Sequence, residues 1–332
     1  MSEDESTPLN VKEKDENLLN LIFKLSWAVN IFLCAAKVFA LVETNYSKAV
    51  AASLADSMVD ILSQMVLALS QYYMEQPSHE YPVGRNRLEA LGVIACSCIM
   101  SMSSFEVIQY AFRDLYNGFN LNIIPMITAN VWLYVILGGG ILSKWLLWVA
   151  CKASKIQSTS LVALAEDHLN DVVSNIAAVL TAVVAAKHIK FWWVDGIGAI
   201  LISAWIISRW FGLTMDEMEK IIGKSAPEDF ISKVEEIASK HHPSIEVDVT
   251  RAYHFGANYI VEMEIVLPKA TILADSHDVA LELQHKIELL EEVERAFVHV
   301  DYEKRHYPEH KVERRLLEAK ISHSLNSVSN SV

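Results

Sequence analysis

The sequence has little cysteine. Cys34, Cys96, Cys98 and Cys151 are the only four in 332 residues, and all lie in or beside apolar stretches. That is no disulfide framework, and C-x-C alone is too short for a zinc knuckle, so they read as small buried hydrophobes. The chain also lacks a basic patch. Its formal net charge is -13, and -10 of that lies in residues 226–310. Nucleic acid is thereby excluded as the main partner, because phosphates need Lys and Arg to neutralise them. No catalytic triad, phosphate-binding glycine loop or ATPase motif is present, which weighs against an enzyme and against primary pumping. The opening MSEDESTPLNVKEKDEN is acidic where a secretory signal would be basic and then apolar. Residues 1–17 are therefore expected to form a disordered acidic arm in the cytosol.

What the chain does have is apolar length. A bilayer core of about 30 Å needs roughly 20 mostly apolar helical residues to cross it. Six stretches qualify, at about 18–42, 48–73, 88–112, 123–150, 161–185 and 192–215. The expected fold is a membrane α-helical domain of six transmembrane helices over residues 18–215. An even number of spans puts both termini on one side. Loop lysines and arginines barely discriminate the orientation. The termini are placed in the cytosol because the long charged C-terminal block is cheapest to leave untranslocated. The sequon Asn45-Tyr46-Ser47 falls in a loop on the other side, too near the bilayer to carry weight.

Two spans contain groups that simple anchors avoid. The second reads SLADSMVDILSQ and carries Asp56 and Asp60; the fifth reads LVALAEDHLNDVVSN and carries Asp167, His168 and Asp171. A carboxylate inside a span costs several kcal/mol unless it is paired, hydrated or metal-bound. D-x-x-x-D sets two carboxylates one turn apart on one helix face. Two such helices can surround a cation with four carboxylates. Hard oxygen donors suit Mn²⁺, Mg²⁺ or Ca²⁺, whereas imidazole and thiolate favour Zn²⁺ and Cu. His168 lies about 100° around the helix from Asp167, so both cannot point equally well inward. Asp167 is taken as the ligand and His168 as a second-shell or proton-handling group, with Glu166 a neighbour of the site. Asn30 and Lys37 share a face of the first span; Lys37 either snorkels or neutralises a carboxylate. Asp195, after Trp192-Trp193-Val194, reads as an N-cap beside an aromatic anchor.

With these residues in view, the chain resembles the cation diffusion facilitators from about residue 18 to 310. It is most similar to the manganese-type branch that includes plant metal tolerance proteins. The motifs that carry this are SLADSMVD, YPVGRNRLEALGV, ALAEDHLNDVVSN and WWVDGIGAIL, then RAYHFGANYIVEMEIVLP, ADSHDVALELQHKIE and EVERAFVHVDYEKRHYPEH. The resemblance implies a homodimeric metal/proton antiporter with a cytosolic ferredoxin-like domain, its transport site at Asp56, Asp60, Asp167 and Asp171. Zinc-transporting relatives typically have His as the first ligand of the fifth span, where this chain has Asp167. They often carry a His-rich loop between spans four and five; CKASKIQSTS has no histidine. Both departures point to Mn²⁺, with Fe²⁺ as a possible additional substrate. Of a second site in the loop between spans two and three, only His79 remains.

The block over 216–310 is expected to be that small α+β domain. Ser225 and Glu228 have capping-box spacing and a helix should follow to about 240. Strands are expected at 246–254, 258–267 and 296–302, with a helix at 275–291. His299 and Asp301 share a strand face, and His277 opens the second helix. By resemblance these positions, with Asp248 and Glu264, hold metal beside the dimer interface in bacterial zinc members; a solvated acidic sheet face is the alternative. His241, His242, His254 and His285 read as surface histidines. Residues 311–332 are expected to be a short amphipathic helix and a disordered Ser/Asn-rich tail.

The expectation is alternating access, with spans one, two, four and five rocking about the carboxylates. Crowded, desolvated carboxylates hold either protons or a cation, so the two exchange by competition. No prosthetic group is needed; the partners are the bilayer, a divalent metal, protons and a second copy. Two rivals stand beside this reading. One is a zinc transporter of the same fold with His168 as ligand. The other is a transport-inactive membrane scaffold. An endomembrane, Golgi or vacuole-like, is favoured over the plasma membrane.

Overall fold

A computed structural model of the chain describes residues 8–43, 48–74, 76, 78–121, 131–154, 156, 158–187, 192–304, 311, 314, 315, 317 and 318. Six long helices come first: α1 (Pro8–Glu43), α2 (Lys48–Met74), α3 (Arg87–Leu121), α4 (Val131–Ala153), α5 (Thr159–Lys187) and α6 (Trp193–Ile222). Then follow α7 (Glu228–His241), β1 (Glu246–Phe255), β2 (Asn258–Val266), α8 (Leu273–Glu288) and β3 (Val293–Asp301). The chain divides into two compact units, Met1–Lys224 with His254–Asn258, and Ser225–Tyr253 with Tyr259–Val332. The sequon Asn45-Tyr46-Ser47, the first seven residues and most of the C-terminal tail lie outside the described residues. Helix α1 begins at Pro8, within the stretch expected to be an unstructured arm.

The helical unit turns apolar groups outward as well as inward. Phe32, Phe39, Met102, Phe112, Leu201 and Phe211 are exposed on it, while Phe23, Leu67, Val93, Leu164 and Trp210 form its core. Water would penalise that much exposed apolar area; lipid does not. Among the described residues, four helical stretches are long and apolar enough to cross a membrane by length and composition: Asn17–Val42, Ser53–Met74, Arg87–Leu121 and Trp193–Ile222. Helix α5 carries Glu166, Asp167 and Asp171 within six positions, and α4 is described only in part at side-chain level. Helix α3 packs on α2 and α6, and α4 packs on α1 and α5. At the α2–α3 contact a Cβ on Gly92 would collide with Ser70, so glycine lets the two backbones approach.

Three side-chain hydrogen bonds tie α5 to its neighbours. Glu89 of α3, buried, accepts from the Ser160 amide at 3.0 Å and from the Ser158 hydroxyl at 2.7 Å. It thereby caps the N-terminus of α5, where free amides and the helix dipole favour an anion. At the other end Asp195 accepts from Thr181 of α5 at 2.6 Å. Asp195 lies inside the first turn of α6, whose N-cap is Trp192 with no side-chain cap bond. The expected N-cap is thus an α5–α6 tie instead.

The soluble unit has one three-stranded sheet in the order β1-β2-β3. β1 and β2 are joined by a two-residue turn with Gly256 at φ 71°, so they run antiparallel. β2 and β3 are parallel, which requires the crossover that α8 supplies. Val261, Met263 and Ile265 alternate into the core with Val293 and Ala296, against Phe230, Val234, Leu283 and Ile287 of the helices. The capping box does not form. Pro227 is the N-cap of α7 without a side-chain bond, and Ser225 instead bonds the carbonyls of Ala226 and Ala252.

Candidate metal-transport site

Within the helical unit, α2 and α5 bring three of the four expected carboxylates to one place. Asp60, Asp167 and Asp171 converge on the ammonium of Lys144 from α4, which is itself 2% exposed. Nζ lies 3.4 Å from Asp60 Oδ2 and 3.9 Å from Asp167 Oδ2, and forms its shortest ion pair with Asp171. Asp167 is 1% exposed, and among the described residues neither of its oxygens has a hydrogen-bond partner. A buried carboxylate without hydrogen-bond donors is costly, and the Lys144 ammonium 3.9 Å away offsets only part of that cost. Asp167, His168 and Asp171 each offer a ligand atom within 4.8 Å of the others. Asp56, one turn before Asp60, is exposed and makes no ion pair among the described residues.

The remaining expected residues surround this cluster. His168 is fully buried and points its Nε2 to the Ser26 hydroxyl of α1 at 3.0 Å, while Gln64 of α2 donates to the same oxygen at 2.7 Å. Its Nδ1 lies 3.9 Å from Asp167 Oδ2. Adjacent residues project about 100° apart, so Asp167 and His168 serve different neighbours. Lys37 donates to the Ser53 carbonyl at 2.9 Å and the Ser57 hydroxyl at 2.6 Å, tying α1 to α2, and its charge acts on Asp56. Asn30 is buried, with its Nδ2 unpartnered among the described residues. Glu166 is turned from the cluster to a two-bond pair with Arg209 of α6. Two turns beyond Asp167, Ser174 donates to the carbonyl of Asn170 at 2.7 Å.

In the soluble unit the expected ligands are dispersed. Glu264 and His299 are cross-strand partners, but Glu264 is paired with Arg251 at 2.8 Å. Asp301 Oδ1 accepts from the Tyr302 amide, and His277 lies beside Asp278 on the exposed face of α8. Asp248 is half-buried on β1. Among the described residues no three potential ligands assemble in this unit.

Residues 23–222 match the model of the cation efflux transmembrane domain, and 226–303 match that of the cation efflux protein cytoplasmic domain. The chain belongs to the cation diffusion facilitator family. Metal tolerance protein 10 of Arabidopsis thaliana is 38% identical over 295 residues, covering 88% of this chain and 67% of that protein. Metal tolerance protein 3 of Oryza sativa subsp. japonica is 36% identical over 318 residues, 95% of this chain and 76% of its own length. Metal tolerance protein 11 of Arabidopsis thaliana is 36% identical over 307 residues. A cation diffusion facilitator is an integral membrane transporter of divalent metal, with a cytoplasmic α/β domain. Lys144 is the site residue that spacing arguments on the aspartates pass over. Its signal is the cost that singles out the aspartates, a full charge in the apolar run VILGGGILSKWLLWVA.

Proposed function

We propose that the protein is a Mn²⁺/proton antiporter, with Asp60, Asp167 and Asp171 as the ligands the geometry supports most directly and Asp56 completing the set. The observation that carries this reading is the convergence of three aspartates on one buried point, with Asp167 lacking donors. Ionised, the four aspartates and Lys144 sum to -3, an acidic excess that attracts a divalent cation. Their oxygens are hard donors, which favours Mn²⁺ over softer metals. The carboxylates accept protons when the metal leaves, so metal and protons share one site and exchange by competition. All six long helices span the bilayer in this reading, with cytosolic termini and an endomembrane location. Pairing of two copies through the soluble unit is supported by its match to the family's cytoplasmic domain.

A second reading, Zn²⁺ transport, is supported by the nearness of His168 to Asp167 and Asp171. Fe²⁺ sits between the two in softness. Metal competition in proteoliposomes separates them. Under a proton gradient the wild type takes up Mn²⁺ in preference to Zn²⁺, Asp171→Ala abolishes uptake, and Asp167→His shifts preference toward Zn²⁺. Undiminished uptake by Asp171→Ala overturns the site.

A further inference from the structure

Lys144 is buried where a cargo ion would be bound. Its Nζ touches Asp171, lies 3.4 Å from Asp60 Oδ2 and 3.9 Å from Asp167 Oδ2, and its side chain is 3% exposed. Among the described residues no other cation forms an ion pair with these aspartates: Lys37 bonds Ser53 and Ser57, and Arg209 pairs with Glu166. A hard divalent cation sits roughly 2–2.6 Å from its oxygen ligands. Oxygens that close in on a metal to that distance cannot also hold an ammonium between them. Two positive centres a few ångströms apart in a low-dielectric interior repel strongly.

From this we infer that Lys144 is the site's resident counter-cation. It neutralises the aspartates of α2 and α5 in the metal-free carrier and is expelled from Asp171 and Asp60 when the divalent cation enters. The inference rests on the aspartate site proposed above and adds a competitor to it. Three consequences follow from electrostatics alone. Lys144 weakens equilibrium metal binding, because the metal must displace it. It lets the empty site switch from one face of the membrane to the other with fewer uncompensated charges, so it speeds the return step. It also aids release, since its lysine stem stays tethered beside the carboxylates it replaces. A merely structural lysine would do the reverse: its removal would loosen the site and weaken metal binding.

The test uses the purified full-length protein, with Mn²⁺ binding followed by loss of the free-ion EPR signal and transport by Mn²⁺ uptake into proteoliposomes. Lys144→Met keeps the apolar stem and removes the charge. It should bind Mn²⁺ about tenfold or more tighter while uptake falls by about the same factor. Lys144→Arg keeps the charge and should bind within about threefold of wild type. A second measurement needs no variant: amine-directed labelling of Lys144 in the wild type, read by mass spectrometry, should rise on Mn²⁺ saturation as the ammonium loses its carboxylates. Unchanged or weaker Mn²⁺ binding by Lys144→Met, or labelling that stays flat at saturation, overturns the inference. Asp171→Asn separates the two levels. If it binds Mn²⁺ like wild type, the site itself is wrong. If it loses binding while Lys144→Met fails to tighten it, only the role of Lys144 is wrong.

Discussion

In the helical unit, Lys144 is 3% exposed and its three aspartate partners lie inside with it. On α7 of the soluble unit, Lys240 and Glu236 are 72% and 64% exposed, and Lys286 with Glu282 on α8 is similar. The chemistry of the pairs is the same and their physics is opposite. Exposed pairs are screened by water and salt and contribute little. Buried charges cost several kcal/mol each to desolvate and are tolerated only while every partner remains. The soluble unit keeps its core wholly apolar around Val261, Met263 and Leu283, and leaves its charge outside. The helical unit buries Asn30, Gln64, Asp60, Asp167, Lys144 and Asn170 in its interior, where intramembrane ionisable groups mark functional sites.

The contrast can be broken at four depths. The largest effect is expected from Asp60→Ala, which strands part of the Lys144 charge. Mn²⁺ uptake should fall to background, with the helical unit destabilised by about 3–5 kcal/mol; thermal unfolding unchanged from wild type would contradict the burial account. Next is Leu283→Ala, fully buried under the sheet. It should cost about 2–5 kcal/mol, seen as faster amide exchange in α8 and β3, while Mn²⁺ still binds the aspartates. Loss of Mn²⁺ binding there would mean the two cores are not energetically separate.

A smaller effect is expected from Glu89→Gln. Loss of the charged acceptor for Ser158 and Ser160 should cost about 1–2 kcal/mol, visible as faster exchange at amides 160–162. Unchanged exchange would show that another group caps α5. The smallest is Lys240→Gln, which should leave unfolding at pH 7 within error. The Lys240 ammonium holds the Glu236 carboxyl below its ordinary value of 4.5. A lowered folded value means the stabilisation is present above pH 4.5 and lost as pH falls through that lower value. Any small difference between wild type and Lys240→Gln should therefore shrink further in acid, and divergence there would assign the effect to something else.

Much of the soluble unit is legible in the sequence, because period-two alternation in NYIVEMEIV and the two-residue turn at Gly256 are local signals. The pairing of D-x-x-x-D on α2 and α5 is legible for the same reason. What escapes is whatever depends on a third helix. Lys144 reads as one lysine in an apolar run until α4 is packed against α5. Ser26 and Gln64 look like ordinary polar residues until the Ser26 hydroxyl meets both His168 and Gln64. The failed capping box at Ser225 has the same origin, since the strand carbonyl of Ala252 draws the hydroxyl away. Glu89 shows the limit most plainly: its partners are about seventy residues away in sequence.

The bond from His168 to Ser26 has a use beyond filling the interior. Asp167 and His168 are neighbours on one rigid helix, so they cannot swing independently. Any roll of α5 about its axis that carries Asp167 away from α4 must drag the imidazole off α1. The Ser26–His168 distance is thus a built-in angular gauge: a pair of probes placed on α1 and α5 near these residues would read the orientation of the aspartates without touching them.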